Sequence, residues 1–175
     1  MRFRYLLVIG LLCVTMGSAN AQTGIMVGAD FVYPTSDFGD LAGGGFGLNV
    51  GISHPLNETT DFIGELGFNA YGGVKISVGT YSQEYQWYGV PVGVGVRFKA
   101  NEKFYVQAKG GILYKTGEVK DSLGSTLEES ETGWLLAPGA GVMLGKVGIV
   151  AEYSVSNNSW QWFGLKAFYQ FGGTN

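Results

Sequence analysis

Tyr88-Gly89-Val90-Pro91-Val92-Gly93-Val94-Gly95-Val96-Arg97-Phe98 alternates large apolar residues with small or polar ones, residue by residue. Successive side chains of an extended strand point to opposite faces. One face therefore reads Tyr88, Val90, Val92, Val94, Val96, Phe98 and the other Gly89, Pro91, Gly93, Gly95, Arg97. The same split recurs over 25–33, 46–54, 62–70, 104–114, 134–144, 147–155 and 163–171. No stretch shows the three- and four-residue apolar spacing of an amphipathic helix. Eight strands are predicted, each long enough to cross a bilayer at a tilt, for which roughly 9–11 residues are needed.

The connections carry a second signal. Those after the first, third, fifth and seventh strands are the longer ones, 34–45, 71–87, 115–133 and 156–162. Those after the second, fourth and sixth are short: 55–61, 99–103 and the Gly145-Lys146 turn. This alternation predicts an eight-stranded antiparallel up-and-down transmembrane β-barrel, one end facing outside and the other the periplasm.

Alternation alone does not say which face is inside, because a soluble barrel alternates too. The less apolar face decides it. Instead of Lys, Glu and Thr, it carries Gly28, Gly47, Gly51, Gly93, Gly95 and Gly141 among others. Glycine relieves crowding and does nothing for solvation, so this face is read as the interior of a narrow barrel and the valine face as the lipid side. Aromatic residues on the apolar parity fall into two belts, as expected at two headgroup levels. Tyr33, Phe46, Tyr88, Tyr114, Trp134, Tyr153 and Phe163 lie toward the long-loop end, and Phe62, Phe98, Phe104, Tyr169 and Phe171 toward the short-turn end. The span from Tyr88 to Phe98, at about 3.3 Å per residue and a tilt near 40°, is roughly 25 Å, the height of an apolar band.

Ahead of the barrel, residues 1–21 read as a cleaved signal peptide. Arg2 and Arg4 precede an apolar run over 6–16, and Ala19-Asn20-Ala21 offers a small-residue cleavage site. Cys13, the single cysteine, lies inside this segment after Leu12, a poor setting for lipidation. The mature part, 22–175, is one domain without disulfides or thiolate metal sites. With Arg2 and Arg4 set aside it carries nine Lys and Arg against fourteen acids, which leaves no basic footprint for nucleic acid.

Six charged residues fall on the inward parity: Asp30, Glu65 and Glu152 against Arg97, Lys109 and Lys166. Charge in a narrow interior is costly unless paired, so equal numbers predict a neutral polar network with Asn49, Asn69, Gln107 and Gln170 that closes the lumen. No catalytic, cofactor-binding or metal-ligating constellation is recognised. His54, the only histidine, is placed at the short-turn end. Glu128, Glu129 and Glu131 read as a solvated face.

The final strand, Phe163-Gly164-Leu165-Lys166-Ala167-Phe168-Tyr169-Gln170-Phe171, alternates apolar residues and closes on an aromatic. With the barrel pattern it makes the whole mature chain resemble the small outer-membrane β-barrels of the OmpA and OmpX type, a porin-family β-barrel domain. The resemblance implies that Tyr169 and Phe171 belong to a C-terminal signal read by the barrel-assembly machinery. The chain departs from that pattern by continuing through Gly172-Gly173-Thr174-Asn175. No peptidoglycan-binding domain is expected after the barrel. The resemblance also implies residence in the outer membrane of a Gram-negative bacterium, among its lipids, as a monomer without cofactor. Two roles follow: a non-catalytic structural or surface-interaction protein that meets a ligand through 34–45, 71–87 and 115–133, or a lipid A acyl-transferring or deacylating enzyme. His54 at the short-turn end argues against the second.

Overall fold

A computed structural model describes residues 23–40, 42–78, 81–121, 126–157 and 160–173; the segment read as a signal peptide lies outside them. Eight strands follow in chain order: β1 (Gly24–Thr35), β2 (Ala42–Pro55), β3 (Thr60–Val78), β4 (Tyr81–Lys99), β5 (Phe104–Asp121), β6 (Thr126–Leu144), β7 (Val147–Ser156) and β8 (Gln161–Gly172). Each pairs antiparallel with its neighbours, and β1 pairs with β8 from Gly24↔Gly172 to Thr35↔Gln161, closing the barrel. Closure satisfies the backbone groups that an open edge would leave unpaired in lipid. β6 and β7 are joined by the two-residue Gly145-Lys146 turn, where Gly145 has φ 65°. That is the left-handed first position of the hairpin turns whose twist matches the flanking strands.

The predicted parity holds throughout the barrel wall. Val27, Leu48, Val94, Val106, Ile112, Leu136 and Leu165 are exposed around its outside, Val94 to 56 %. A belt of this kind far exceeds the isolated apolar patches that a soluble monomer shows to water, and its natural solvent is hydrocarbon. Tyr33, Phe46, Tyr114, Trp134 and Phe163 ring one end, and Phe98, Phe104, Tyr169 and Phe171 the other, all exposed.

The structure corrects the strand ends. The stretches 71–87 and 115–133, read as loops, are mostly strand. β3 and β4 remain paired out to Val78↔Tyr81, and β5 and β6 to Lys120↔Thr126. At 18 or 19 residues each, β3 to β6 extend to about 60 Å, far more than a tilted crossing requires. β1, β2, β7 and β8 have 12, 14, 10 and 12 residues. Four long strands thus continue past four short ones as a protruding sheet. The first connection also contains structure, a 3-10 turn over Ser36–Asp40 between β1 and β2.

Candidate functional site

The interior is stacked in three layers. Nearest the long-strand end, Val32, Tyr71, Leu113, Leu135, Trp160 and Trp162 pack as an apolar core, joined by Trp87. Trp160 stands edge-on to Tyr71 and Trp87, with ring centroids 6.0 and 5.4 Å away. Lys115, 2 % exposed, caps this layer. Its ammonium lies 4.9 Å from the centre of the Trp160 ring, 3.2 Å from Glu131 and 3.4 Å from the carbonyl oxygen of Asn157. Lys115 and Glu131 are direct cross-strand partners of β5 and β6.

The sequence reading missed this layer, because Tyr71, Trp87, Lys115 and Trp160 fell in its loops. The signal was available in β5, where the inward parity of Lys109 continues through Leu113 to Lys115.

The middle layer gathers five of the six inward charges. Glu65 accepts from both Lys109, at 3.0 Å, and Lys166; Lys109 also reaches Glu152 at 2.8 Å. Asp30 accepts from the Asn49 amide at 2.6 Å and faces Lys166 across the β1–β8 seam. Gln107 donates to Glu152 at 3.1 Å. The void left among Asp30, Glu65, Asn69, Lys109, Glu152 and Lys166 is about 20 Å³, room for roughly one water.

Arg97 stands apart. It makes no ion pair among the described residues. Its guanidinium reaches only Gln107 Oε1, from Nε and Nη2 at 3.4 Å, and the Met26 sulfur at 3.5 Å. Two rings flank it, Tyr105 at 4.5 Å and Phe168 at 5.2 Å. Glycines make their sockets: a Cβ at Gly141 would lie 2.5 Å from the Tyr105 ring, and one at Gly148 would overlap Phe168. Arg97 therefore joins the other five charges only through Gln107, whose amide oxygen it contacts and whose amide nitrogen donates to Glu152. Three acids and two lysines occupy the middle layer, with a lone guanidinium below them. Parity assigns a side chain to the interior but not to a height within it.

Below Arg97 the barrel opens into a vestibule of about 760 Å³ at the short-turn end. Asp61, missed by the sequence reading, is buried there, with Lys99 at 2.8 Å and Ser53 at 3.4 Å. His54 sits at the same end, its Nδ1 3.0 Å from the Thr23 hydroxyl, as the sequence placed it.

A closed eight-stranded barrel with an apolar outer belt can be compared with known proteins as a whole. The sequence pattern of the outer membrane protein β-barrel domain matches residues 5–158, most of the chain. The chain belongs to that family. Ail, the attachment invasion locus protein of Yersinia pestis, superposes with a TM-score of 0.62 at 18% identity, over 85% of this chain and 97% of Ail. Its complex with the heparin analogue sucrose octasulfate gives 0.60 at 20% identity, over the same shares. Neisserial surface protein A gives 0.50 at 12% identity, over 86% of this chain and 96% of that one. At these identities the likeness is one of fold. No curated protein sequence matches the chain. As a member of this family the barrel resides in the bacterial outer membrane. The short-turn vestibule then faces the periplasm and the protruding sheet the cell surface.

Proposed function

We propose that this outer-membrane barrel is a non-catalytic, monomeric surface-interaction protein whose protruding β3–β6 sheet presents the binding face. The observation that carries this reading is that sheet. Among the described residues, β6 has no strand partner on its outer side from Thr126 to Trp134, and β3 has none beyond Gly73. Two strand edges are thus offered to whatever approaches the cell, and an exposed edge is a template for an added strand. Their common scaffold is a wall that spans the membrane, so the presenting surface is rigid.

The remaining parts serve display. Residues 1–21 direct export and are removed after Ala21. Tyr169 and Phe171, adjacent on the lipid face with ring centroids 4.7 Å apart, address the chain to the assembly machinery. The network of Asp30, Glu65, Lys109, Glu152 and Lys166, with Arg97 beneath it, holds the lumen shut. The lipid A-modifying alternative lacks support, since the sole histidine is at the periplasmic end.

Ail has been solved with an anionic sugar, and the chemistry here differs. Residues 115–133 hold two lysines and five acids, and Lys115 is buried. A cationic partner suits this face better than a polyanion. The test uses intact cells. An epitope inserted between Gly124 and Ser125 should be reached by antibody, whereas one at Asn101 should not. Cells displaying the full chain should adhere to poly-lysine-coated rather than heparin-coated surfaces. Cells whose two hairpins are shortened to the barrel rim should lose that adhesion. Equal labelling at both positions, or equal adhesion of long and short forms, would overturn the proposal.

A further inference from the structure

Arg97 poses a question that the display role leaves unanswered: why a buried cation has no anion. It is 3 % exposed, yet its nearest acceptors are one amide oxygen, at the long limit for a hydrogen bond, and a thioether, a weak acceptor. Nη1 makes no hydrogen bond to any described residue. The β3 cross-strand partner of Arg97 is Asp61, which could have supplied a carboxylate, but that carboxylate turns to Lys99 and Ser53 instead. Beside Arg97 the Tyr105 hydroxyl is buried without a hydrogen-bond partner. Arg97 and Tyr105 both line the vestibule, on the side away from the membrane-centre lysines, and Lys99 lines its wall.

A desolvated guanidinium is costly when unpaired, and neighbouring rings offset only part of that cost. A planar fork of N–H donors with a spare hydroxyl beside it, at the end of a water-accessible chamber, is complementary to an oxoanion. We propose that the periplasmic vestibule is a binding site for a phosphate or carboxylate group, held by Arg97 with Tyr105 as a second donor and Lys99 as a charge at the wall. Two aromatic rings fix the guanidinium plane, so the site is organised before the anion arrives. The chamber is far larger than one phosphate, so the group can be carried by a larger solute or by a lipid headgroup.

Arg97 is the only arginine after Arg4, which makes its side-chain NMR signal a specific reporter. The mature chain, 22–175, ¹⁵N-labelled and refolded in phosphate-free maltoside micelles, is titrated with inorganic phosphate. Sodium chloride at matched ionic strength is the reference, and Arg97→Lys identifies the signal. A parallel arm adds short-chain phosphatidylglycerol at the same phosphate concentration.

A saturable shift of the Arg97 signal with either phosphate source, and none with chloride, is the expected result; the responding arm names the source. Tyr105→Phe should weaken binding about fivefold through loss of one donor. Asp61→Asn should tighten it, because it removes a competing negative charge and releases Lys99. Lys146→Gln, at the same end but outside the vestibule, should leave it unchanged. Retention of heat-modifiable gel migration identifies the variants that fold. The site is refuted if no saturable shift occurs, if chloride matches phosphate, or if Asp61→Asn alone moves the Arg97 signal and phosphate does not, since Arg97 would then be pairing with Asp61.

Discussion

Glu65→Gln isolates the contribution of the middle layer. Glu65 is the shared acid of two lysines, and substitution leaves them unequal. Lys109 keeps Glu152 at 2.8 Å, whereas Lys166 loses its only ion-pair partner among the described residues. Breaking a buried pair from one side costs roughly 3–5 kcal/mol when the survivor is dry. Glu65 retains 14 % side-chain exposure, and the adjoining void has room for a water, so the lower end, about 3 kcal/mol, applies here. With a urea dependence of roughly 1–3 kcal/mol/M, the unfolding midpoint should fall by about 1–3 M. The assay is reversible urea unfolding of the barrel in lipid vesicles, followed by tryptophan fluorescence. Lys146→Ala, in an exposed turn, serves as the reference and should change the stability by well under about 1 kcal/mol. Glu65→Gln/Lys166→Gln should recover part of the loss, because the orphaned lysine is removed while Asp30 loses the cation it faces. If Glu65→Gln and Lys146→Ala unfold together, the interior is wet and the charged layer does not close the lumen.

Two further outcomes follow from the same architecture. Val94→Lys places a charge at mid-strand on the lipid face and should lower vesicle stability by roughly 2–4 kcal/mol, against near zero for a lysine at a rim position such as Phe104. Equal effects at the two depths would mean that this face is not in hydrocarbon. In a planar bilayer the protein should show no steady conductance, because the aromatic layer and the charged layer block the lumen in series; stable porin-like steps would contradict that.

Much of the barrel was legible in the sequence because a strand's period of two is independent of its surroundings. Val92, Val94 and Val96 face out and Arg97 faces in whatever the neighbours do, and lipid on one side keeps the contrast sharp over each crossing. Loop-length alternation supplied the up-and-down topology in the same local way. Beyond the bilayer that contrast ends. The continuation of β5 past Tyr114 carries polar residues on both faces, so its strand character depends on hydrogen bonds to β4 and β6, which no local pattern reveals. The interior was legible only as a list. Asp30, Glu65, Arg97, Lys109, Glu152 and Lys166 share a parity, but the height at which each projects follows from strand tilt and register around the closed cylinder. Those decide that Glu65 meets two lysines while Arg97 meets no carboxylate among the described residues. Trp160 becomes core for the same reason: it lies just before a short strand, and only the longer strands rising around it enclose its ring. The sequence by itself determined which residues face lipid and which face inward; the tertiary structure decided which inward residues meet, because pairing across a barrel is set by closure and shear, which are properties of all eight strands together.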